Sequence, residues 1–500
     1  MLHLDTHGGR ALDQQGVTQS WAMEARGAVV GEGGARAASG TQRVFGLLTD
    51  RPVVVQCSAG RVTSDAGLLP LGEFDRRWQF TERMAGCIED QRKDPSHTVL
   101  EMLRQRLYGI IADYEDCLDH DDLRDDPLFQ MLAGKSSGDG PLASQPTLSR
   151  FENSITPPML QQLIDLQVTT GIERLKQHHR GQLPQSLTLD IDPTDDPTHG
   201  QQQLALFHGY YEQHQYLPLM ISEPTTKHMF LGWLRPGAVH AALGAEDDVL
   251  RVVRPLRAEQ PEMAIHVRGD CGFGLPKMYQ VCEDHQLTYT FGLATNNRLK
   301  AQTTDLVARA AEQYEQTGAK QRLFAHFEYQ ADSWDRPRRV IAKAEHQDAG
   351  ANLRFIVTNL PVTSDEQAEQ RYDDYVQRGE SEQRFDELKN GLELGRLSCH
   401  RFMANFWRLL LHVAAYNLLN AFRDAEETPA ELRHAQPAKW RSKLFKVAAK
   451  IVTSTRRVLL ELPTHWPHWS LFEAMCQRVL AFIPYTTLAP CTTTPRPAIP

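Results

Sequence analysis

Four residues that suit phosphate and metal chemistry recur at helical spacing late in the chain. They lie at offsets of 0, 3, 7 and 14 and are Tyr375, Arg378, Glu382 and Lys389. At about 100° per residue, this spacing predicts a single helical stripe roughly 60° wide. Arginine and lysine suit phosphate oxygens, and glutamate suits a divalent cation. An ordinary charged helix face has the same composition, so the stripe needs partners elsewhere in the chain.

Two further carboxylates follow apolar strand patterns upstream. The segment SLTLDID alternates from Ser186 and puts Asp190 and Asp192 on the polar face of a half-buried strand. The segment MAIHVRGD predicts a second strand that ends at Asp270. Each has an ordinary explanation, because a polar strand face is often solvated and an aspartate before glycines often forms a turn. Only together with Glu382, in this chain order, do they indicate a shared site.

Such a set has the chemistry of a nuclease-type metal site. Cleaving or joining a phosphodiester needs an activated oxygen nucleophile and compensation for charge on the leaving oxygen, which two Mg²⁺ ions about 3.5 to 4 Å apart supply. Mg²⁺ keeps several waters and takes one or two protein carboxylates. Two aspartates and one glutamate are therefore sufficient. We predict Asp192, Asp270 and Glu382 as catalytic residues and ligands of two Mg²⁺ ions, with Mn²⁺ as a substitute.

Patterns along the chain predict an α/β protein with tails at residues 1–45 and 481–500. Between the tails we predict a mainly helical DNA-binding region, a catalytic domain and a helical C-terminal region, at residues 46–180, 181–395 and 396–480. The catalytic segment has the pattern of three strands, helix, strand, helix, strand, helix, which is the order of an RNase H-like core. Three more strand patterns, at about 320–362, predict a β insertion in that core.

Charge is distributed unevenly along the chain. Its 500 residues, 41% hydrophobic and 23% charged, predict two or three packed units of a soluble protein. The net charge of -9 excludes a uniformly basic nucleic-acid binder. A local basic run extends from Arg433 to Arg457 without any acidic residue. We predict that it forms a helix over 438–462 whose Lys439, Arg441 and Lys443 contact DNA backbone, with a solvated amphipathic face as an equal alternative.

Cysteines and apolar runs indicate the compartment. The eight cysteines include no C-x-x-C pair, which fits neither a zinc site nor a small disulfide scaffold. The longest apolar run, Phe406 to Leu419, is shorter than the roughly 20 residues of a membrane span. The N-terminus lacks the basic flank and apolar segment of a secretory signal. We therefore expect a cytoplasmic protein without a membrane partner.

The late stripe, written Y-x2-R-x3-E-x6-K, resembles the signature of the DDE transposases of bacterial cut-and-paste insertion sequences. Other segments resemble the blocks of one group among them, the thirteen-eighty insertion-sequence group. These segments are LDIDPTDDPTHG, RGDCGFG, YEDCLDHDDLRDDPLF and RFIVTNL. The resemblance extends over residues 60–480, approximately, and omits both tails.

The resemblance implies roles for individual positions. It makes Asp192, Asp270 and Glu382 the metal-binding triad, and it favours Asp192 over Asp190 because the D-x-T pattern continues to Thr194. Phosphates near the transposon end would be contacted by Tyr375, Arg378 and Lys389. Trp334 of the β insertion is a candidate for stacking a flipped base, and a buried core tryptophan is at least as strong an alternative. Two departures from the family pattern are Cys271, where relatives often have arginine, and Pro193 directly after Asp192.

The function implied is that of an insertion-sequence transposase at the bacterial nucleoid. It would bind terminal inverted repeats and target DNA as double strands, form a homodimer in the synaptic complex, and catalyse metal-dependent cleavage and strand transfer. Two alternatives stay open. One is another RNase H-fold nuclease or a domesticated relative that no longer moves DNA. The other is a non-catalytic DNA-binding protein whose acidic residues are structural.

Overall fold

The computed structural model describes residues 42–45, 51, 53–136, 139–423, 428–433 and 435–485. The chain divides into two compact units, residues 1–60 and 61–500. The first unit contains an antiparallel hairpin of β1 (Gln42–Phe45) and β2 (Val53–Gln56). The last four residues of the predicted N-terminal tail thus form β1. The rest of that tail, and residues 486–500 of the predicted C-terminal tail, lie outside the described residues.

Helices follow in the first part of the second unit, as the apolar periodicity predicts. After β3 (Val62–Thr63), they are α1 (Leu69–Trp78), α2 (Phe80–Gly86), α3 (Val99–Ile111), α4 (Asp119–Asp122), α5 (Pro127–Ala133), α6 (Gln145–Asn153) and α7 (Pro157–His178). The start of α3 is set by a capping box, in which Thr98 and Glu101 each bond the other's backbone N–H. Proline in the first turn of α7 removes a donor that would have no partner there.

Strands and helices then alternate. In chain order they are β4 (Ser186–Pro193), β5 (Asp196–Pro197), β6 (Leu206–His208), β7 (Gln213–Tyr216), β8 (Leu219–Ser222), β9 (Met229–Trp233), α8 (Ala245–Glu259), β10 (Ala264–Gly269), α9 (Pro276–Asp284), β11 (Thr288–Leu293), α10 (Asn297–Gln302), α11 (Thr304–Thr317), β12 (Gln321–Tyr329), β13 (Arg338–Gln347) and β14 (Gly350–Thr358). The segment QQQLALFHGYY, whose pattern predicts a core strand, instead contributes only β6, to a small separate sheet of order β5-β7-β6.

The main sheet is large and mixed, which confirms the α/β class. Among the described residues its strand order is β12-β13-β14-β11-β10-β4-β8-β9. Strand β4 pairs in parallel with β10, and β10 pairs in parallel with β11. On the other side of β4, strand β8 pairs with β4 in antiparallel orientation, and β9 pairs with β8 in antiparallel orientation. The three strands from β12 to β14 continue the sheet beyond β11 in antiparallel pairs. The carboxyl ends of β4, β10 and β11 therefore meet at one edge.

Helices on both faces cover the strands that extend the sheet. After β14 come α12 (Asp365–Val376), a 3₁₀ turn at Gln377–Gly379, α13 (Glu380–Asp386) and a π-helical segment at Glu387–Gly391. Phe324 of β12 packs with Tyr372 of α12, whereas its neighbour Leu323 joins the main core with Leu306 of α11. Since successive strand residues point to opposite faces, α11 and α12 lie on opposite sides of the sheet.

The C-terminal part begins with a buried helix and then departs from the prediction. Its elements are α14 (Phe402–Arg423), α15 (Ala430–Arg433), α16 (Pro437–Trp440), a π-helical segment at Arg441–Phe445, β15 (Ala449–Thr453), β16 (Val458–Glu461) and α17 (Trp469–Ala481). The helix predicted over 438–462 is wrong, because β15 and β16 form a sheet with β3. The β-branched run from Ile451 to Thr453 favours a strand there. Among the described residues, no helix is long and apolar enough to cross a membrane.

A buried charge cluster joins three of the helices. Glu152 of α6 accepts hydrogen bonds from the Nε of Arg106 on α3 and the Nε of Arg408 on α14, both at 2.8 Å. All three side chains are buried. Burial alone would raise the pKa of Glu152, but the two arginines outweigh it and hold its pKa below the ordinary glutamate value. The ionised form of Glu152 therefore stabilises the packing of α14 against the N-terminal helices.

Replacing Glu152 should cost much of the stability of the fold. We expect Glu152→Ala to lower the free energy of unfolding by about 3 to 5 kcal/mol, because it leaves two guanidinium groups buried without their carboxylate. Denaturant unfolding measures this change. Glu73→Ala is the matched control, since Glu73 is partly exposed and pairs with Arg77 four residues along the helix, and it should change stability by less than about 0.5 kcal/mol.

The pH dependence of the free energy of unfolding is a second test of the same cluster. A carboxyl whose folded pKa is lowered stabilises the fold above its unfolded pKa and loses that effect as pH falls through the folded value. The wild-type chain should therefore lose its advantage over Glu152→Gln as pH falls below 4.5, the ordinary glutamate value. Equal stability of wild type, Glu152→Ala and Glu73→Ala at neutral pH would contradict the role given to this cluster.

Candidate active site

The carboxylate of Asp190 lies at the centre of a buried ion cluster under the sheet edge. Asp190 is 1% exposed, on the polar face of β4. Arg268 of β10 donates from Nε and Nη2 to its two oxygens, at 2.7 and 3.1 Å, and Arg384 of α13 donates from Nη2 at 2.8 Å. Arg268 also donates to the carbonyl of Asp374 at 2.6 Å. Both oxygens of Asp190 are thus engaged in joining β4 to β10, α12 and α13.

Asp192 lies two residues further along the same face and is held on one side only. Its Oδ2 accepts from Nη1 of Arg378 at 2.7 Å and from Oγ of Ser381 at 3.1 Å. Its Oδ1 accepts no hydrogen bond from the described residues. Asp192 is 9% exposed, so its carboxylate reaches the surface at the end of β4. This position suits a group that meets a ligand from solvent.

The sheet register brings Asp270 beside Asp192. Ile191 of β4 pairs with Gly269 of β10, so the next residues of these two parallel strands are Asp192 and Asp270. Burial is the main cause that raises the pKa of Asp192 to about 7; Arg378 opposes this rise and the charge of Asp270 adds to it. Two adjacent carboxylates repel each other, and a divalent cation between them would relieve that repulsion. This pair therefore fits a metal ion.

Glycines set the position of the loop after Asp270. The carboxylate accepts from the backbone N–H of Gly272 at 2.8 Å and caps a 3₁₀ turn at Cys271–Phe273. A Cβ at Gly269 would lie 2.9 Å from Cγ1 of Ile191, and one at Gly292 would lie 2.7 Å from the backbone nitrogen of Cys271. Both positions are too close for a side chain. The turn-forming and site-forming explanations of Asp270 are therefore compatible.

Tyr375 and Arg378 lie against this carboxylate pair. The guanidinium of Arg378 is 5.8 Å from the ring centroid of Tyr375. Burial raises the pKa of Tyr375 above the ordinary tyrosine value; Arg378 opposes this rise and Asp270 adds to it. A Cβ at Gly292 would lie 2.9 Å from the hydroxyl of Tyr375, so this hydroxyl points toward the sheet edge. Two of the four signature residues are thus at the site.

Lys389 reaches the loop that follows Asp192 instead of the carboxylate pair. Its Nζ is 2.7 Å from Oδ1 of Asp195. The neighbouring Asp196 is 1% exposed, and neither of its carboxylate oxygens has a hydrogen-bond partner among the described residues. Burial raises the pKa of Asp196 to about 8; Lys389 opposes this rise and Asp195 adds to it. Asp196 is therefore held in its neutral form below that pH.

Glu382 is not gathered into the site. It is exposed and makes no hydrogen bond or ion pair with the described residues, whereas its helix neighbours Ser381 and Arg384 are buried against β4. Within the described part of the chain, no group of three or more His, Cys, Asp or Glu side chains could hold a metal ion. The prediction of a single stripe assumed that residues 375–389 form one continuous α-helix. The 3₁₀ turn at 377–379 and the π-helical segment at 387–391 break that phase.

The other residues predicted to contact DNA are Trp334, Lys439, Arg441 and Lys443, and the structure gives three of them other partners. Trp334 is 6% exposed and packs on the rings of Tyr279 and Tyr329. Arg441 is buried and donates to the carbonyls of Ile110 and Ile111 at the end of α3. The Nζ of Lys443 is 3.1 Å from Oε2 of Glu431. Lys439 is exposed on α16.

Of the side chains that hold the aspartates, the sequence analysis named Arg378 but missed Arg268, Arg384 and Ser381. Arg268 lies two residues before Asp270, and a period of two puts both on one strand face, so the pattern contained this signal. Ser381 and Arg384 are three residues apart on α13 and share its buried face. That signal could not be used, because the helix phase at the signature was not visible in the sequence.

The chain was also compared with known proteins. A family model described as transposase DDE domain group 1 matches residues 45–482. The chain belongs to this family. A search of the curated proteins gives no match. The prediction of a DDE transposase is thus confirmed at the level of the family, which implies an enzyme that acts on DNA. The transposase carries its paired aspartates at the edge of the large mixed sheet.

Asp196 provides a test of the electrostatics of this transposase. A carboxyl whose folded pKa is raised stabilises the fold fully below its unfolded pKa, and the effect is lost as pH rises through the folded value. Relative to Asp196→Asn, the wild type should therefore lose stability as pH rises from 3.8 to about 8, with a constant difference above that. Thermal unfolding across this range measures the difference. Parallel stability curves for the two proteins would show that Asp196 is ionised in the fold.

Proposed function

We propose that the chain is an insertion-sequence transposase that cuts DNA at terminal inverted repeats and transfers the freed ends to target DNA. The observation that carries this proposal is the adjacency of Asp192 and Asp270 at the carboxyl ends of parallel strands. Because the chain belongs to the DDE transposase family, we assign that pair to DNA cleavage and strand transfer. The signature residues Tyr375 and Arg378 lie against the same pair, which supports a DDE transposase of a cut-and-paste insertion sequence. The assignment to the thirteen-eighty insertion-sequence group rests on the other sequence blocks.

An RNase H-like catalytic core is part of this proposal. Strands β9, β8, β4, β10 and β11 lie side by side in that order, with β4, β10 and β11 parallel and β8 antiparallel to β4. This arrangement agrees with the predicted order of three strands followed by alternating helices and strands. Strands β12 to β14 are then the β insertion, which extends the sheet rather than interrupting it.

Divalent cations, Mg²⁺ with Mn²⁺ as a substitute, would be held by Asp192, Asp270 and Glu382. Bound there, they would activate the attacking oxygen and neutralise charge on the leaving oxygen. The two aspartates are already adjacent, so the rearrangement needed concerns Glu382. We infer that Glu382 joins them through a change at the two ends of α13, where a 3₁₀ turn and a π-helical segment shift the helix phase. This change would exchange the contacts that Ser381 and Arg384 make with β4.

In this proposal, Arg378 and Lys389 each have two alternative partners, an aspartate of the protein and a phosphate of DNA. In the structure, Arg378 is paired with Asp192 and Lys389 with Asp195. Phosphates of the transposon end would compete for them, Arg378 through a planar fork and Lys389 as a point charge. Release of Arg378 from Asp192 would free that carboxylate for its role at the reacting strand. We place the transposase at the bacterial nucleoid and propose a homodimer in its synaptic complex.

Single substitutions test the triad. On a duplex with the terminal sequence of the encoding element, we expect Asp192→Ala, Asp270→Ala and Glu382→Ala each to lower Mg²⁺-dependent nicking by about a hundredfold or more, since each removes charge stabilisation at the reacting phosphate. Gel-shift affinity for the same duplex should change little. A nicking assay and a gel shift on the same preparations make the comparison.

Glu380→Ala is the matched control for Glu382. Glu380 is also exposed, on the same short helix and two residues away. It should nick at the wild-type rate. Retained nicking in Glu382→Ala would remove Glu382 from the triad, and loss of nicking in Glu380→Ala as well would show that the effect is not specific to Glu382. Nicking without any joining of ends to target DNA would favour the alternative of an RNase H-fold nuclease.

A further inference from the structure

A two-stranded ribbon projects from the C-terminal part of the chain. Strands β15 and β16 and the turn between them, residues 449–461, form what we call the basic ribbon. Its base belongs to the folded core, since β15 pairs with β3 at Ala449 and Lys450 and the side chain of Ile451 is buried. Every residue from 452 to 459 is exposed. Because successive strand residues point to opposite faces, the outer half of the ribbon has solvent on both faces.

The turn of the basic ribbon is closed by hydrogen bonds between Ser454 and Arg457. The backbone N–H of Ser454 donates to the carbonyl of Arg457 at 2.9 Å. The hydroxyl of Ser454 accepts from the backbone N–H of Arg457 at 3.2 Å. Thr455 and Arg456 lie between these two residues. Two arginines are therefore held at the tip of a hydrogen-bonded turn.

The charge of the turn is not balanced by acidic side chains. Residues 446–460 include four lysines or arginines and no aspartate or glutamate. Lys446, at the base, is 2.8 Å from Asp65 and lies over the ring of Tyr114. Arg456 and Arg457, in contrast, make no side-chain hydrogen bond or ion pair within the described part of the chain. In a protein of net charge -9, two such cations on a projecting turn favour a polyanionic partner.

The ribbon changes which part of the basic run is available to DNA. The sequence analysis placed the contact at Lys439, Arg441 and Lys443, on the assumption of a helix over 438–462. In the structure Arg441 is buried against the end of α3, and Lys443 pairs with Glu431. Two of those three cations are thus engaged inside the protein, whereas the turn of the basic ribbon presents two arginines to solvent.

Apolar side chains lie beside these arginines. Val452 and Leu459 are partners across the two strands and share one face, and each is 40% exposed. Phosphate oxygens offer such side chains no apolar contact. The major groove of B-DNA admits a two-stranded ribbon and presents both kinds of partner, guanine acceptors for arginine and the thymine methyl group for apolar side chains. The deep, narrow major groove of double-stranded RNA does not admit a ribbon.

We propose that the basic ribbon enters the major groove of the transposon-end duplex, where Arg456 and Arg457 contact guanine edges and Val452 and Leu459 contact thymine methyl groups. This inference rests on the proposed function, because its ligand is the terminal repeat. The supports of the ribbon, β3 and Asp65, belong to the predicted N-terminal DNA-binding region. The ribbon therefore reads the sequence of the repeat and takes no part in the cleavage step.

Guanine protection tests the role of the arginines. The full-length chain is bound to a duplex with the terminal sequence of the encoding element and to a scrambled duplex of the same composition, and dimethyl sulfate probes guanine N7 in the major groove. The wild type should bind the terminal duplex more tightly and protect a group of its guanines. The double variant Arg456→Ala, Arg457→Ala should lose that protection and about tenfold or more of the preference, because arginine contacts to guanine are removed.

Thymine methyl groups test the apolar contacts. A terminal duplex with deoxyuridine in place of thymidine lacks these methyl groups and keeps every phosphate. The wild type should bind it severalfold more weakly than the normal duplex. The double variant Val452→Ser, Leu459→Ser should bind the two duplexes equally. Equal binding of both duplexes by the wild type would contradict the role given to Val452 and Leu459.

The double variant Lys300→Ala, Arg309→Ala is the matched control, because it removes two exposed cations from α10 and α11 and changes the net charge by the same amount. It should behave as wild type. At saturating protein, Arg456→Ala, Arg457→Ala should nick the terminal duplex at the wild-type rate, since the paired aspartates are unchanged.

Three results would overturn the inference. Unchanged preference and protection in the double arginine variant would do so and leave the proposed function intact. An equal loss of affinity for the terminal and scrambled duplexes would indicate phosphate contacts in place of base contacts, with the same consequence. A lower mass of the DNA-free chain in Val452→Ser, Leu459→Ser, measured by sedimentation, would assign the ribbon to an interface between copies. Failure of the wild type either to bind or to nick the terminal duplex would overturn the proposed function as well.

Discussion

The arrangement of the candidate site depends on the buried pairing of Asp190 with Arg268 and Arg384. Taking charges out of water costs several kcal/mol per ion, and the cost is offset only when the geometry satisfies every partner. Both oxygens of Asp190 are engaged by three hydrogen bonds from two guanidinium groups, while the Nε of Arg384 has no partner among the described residues. Because these arginines come from β10 and α13, the same contact fixes the strand that precedes Asp270 and the helix that contains Ser381. The paired aspartates are adjacent because Asp190 holds their supports together.

Charge balance explains why so acidic an edge is stable. Three carboxylates at the edge, of Asp190, Asp192 and Asp270, face three guanidinium groups, of Arg268, Arg384 and Arg378. Burial is the main cause of the raised pKa of Asp192, and the charges of Asp270 and Asp190 add to that rise. A net charge of -9 is therefore compatible with a DNA substrate. The cations proposed to meet phosphate, Arg378 and Lys389, are each paired with an aspartate in the structure.

Much of this architecture could be predicted from the sequence, and the failures have physical causes. A period of two located Asp190 and Asp192, because strand faces alternate whatever the tertiary context, and the end of a strand pattern located Asp270. The position of Glu382 could not be predicted in the same way. A 3₁₀ turn and a π-helical segment shift the phase of the helix, and the residue pattern does not predict the size of that shift. Burial of a single basic residue could not be predicted either. Arg441 lies in a basic run, but it is buried and donates to the carbonyls at the end of α3.

The edge of the main sheet at β9 is closed by a side chain. Asn417 of the buried helix α14 accepts from the backbone N–H of Met229 and donates to its carbonyl, both at 2.9 Å. An amide side chain thus occupies the positions that a ninth strand would use. Pairing of another strand at Met229 is therefore disfavoured. Growth by strand addition is left to the opposite border at β12, where the charged side chains of Arg322 and Glu328 discourage it.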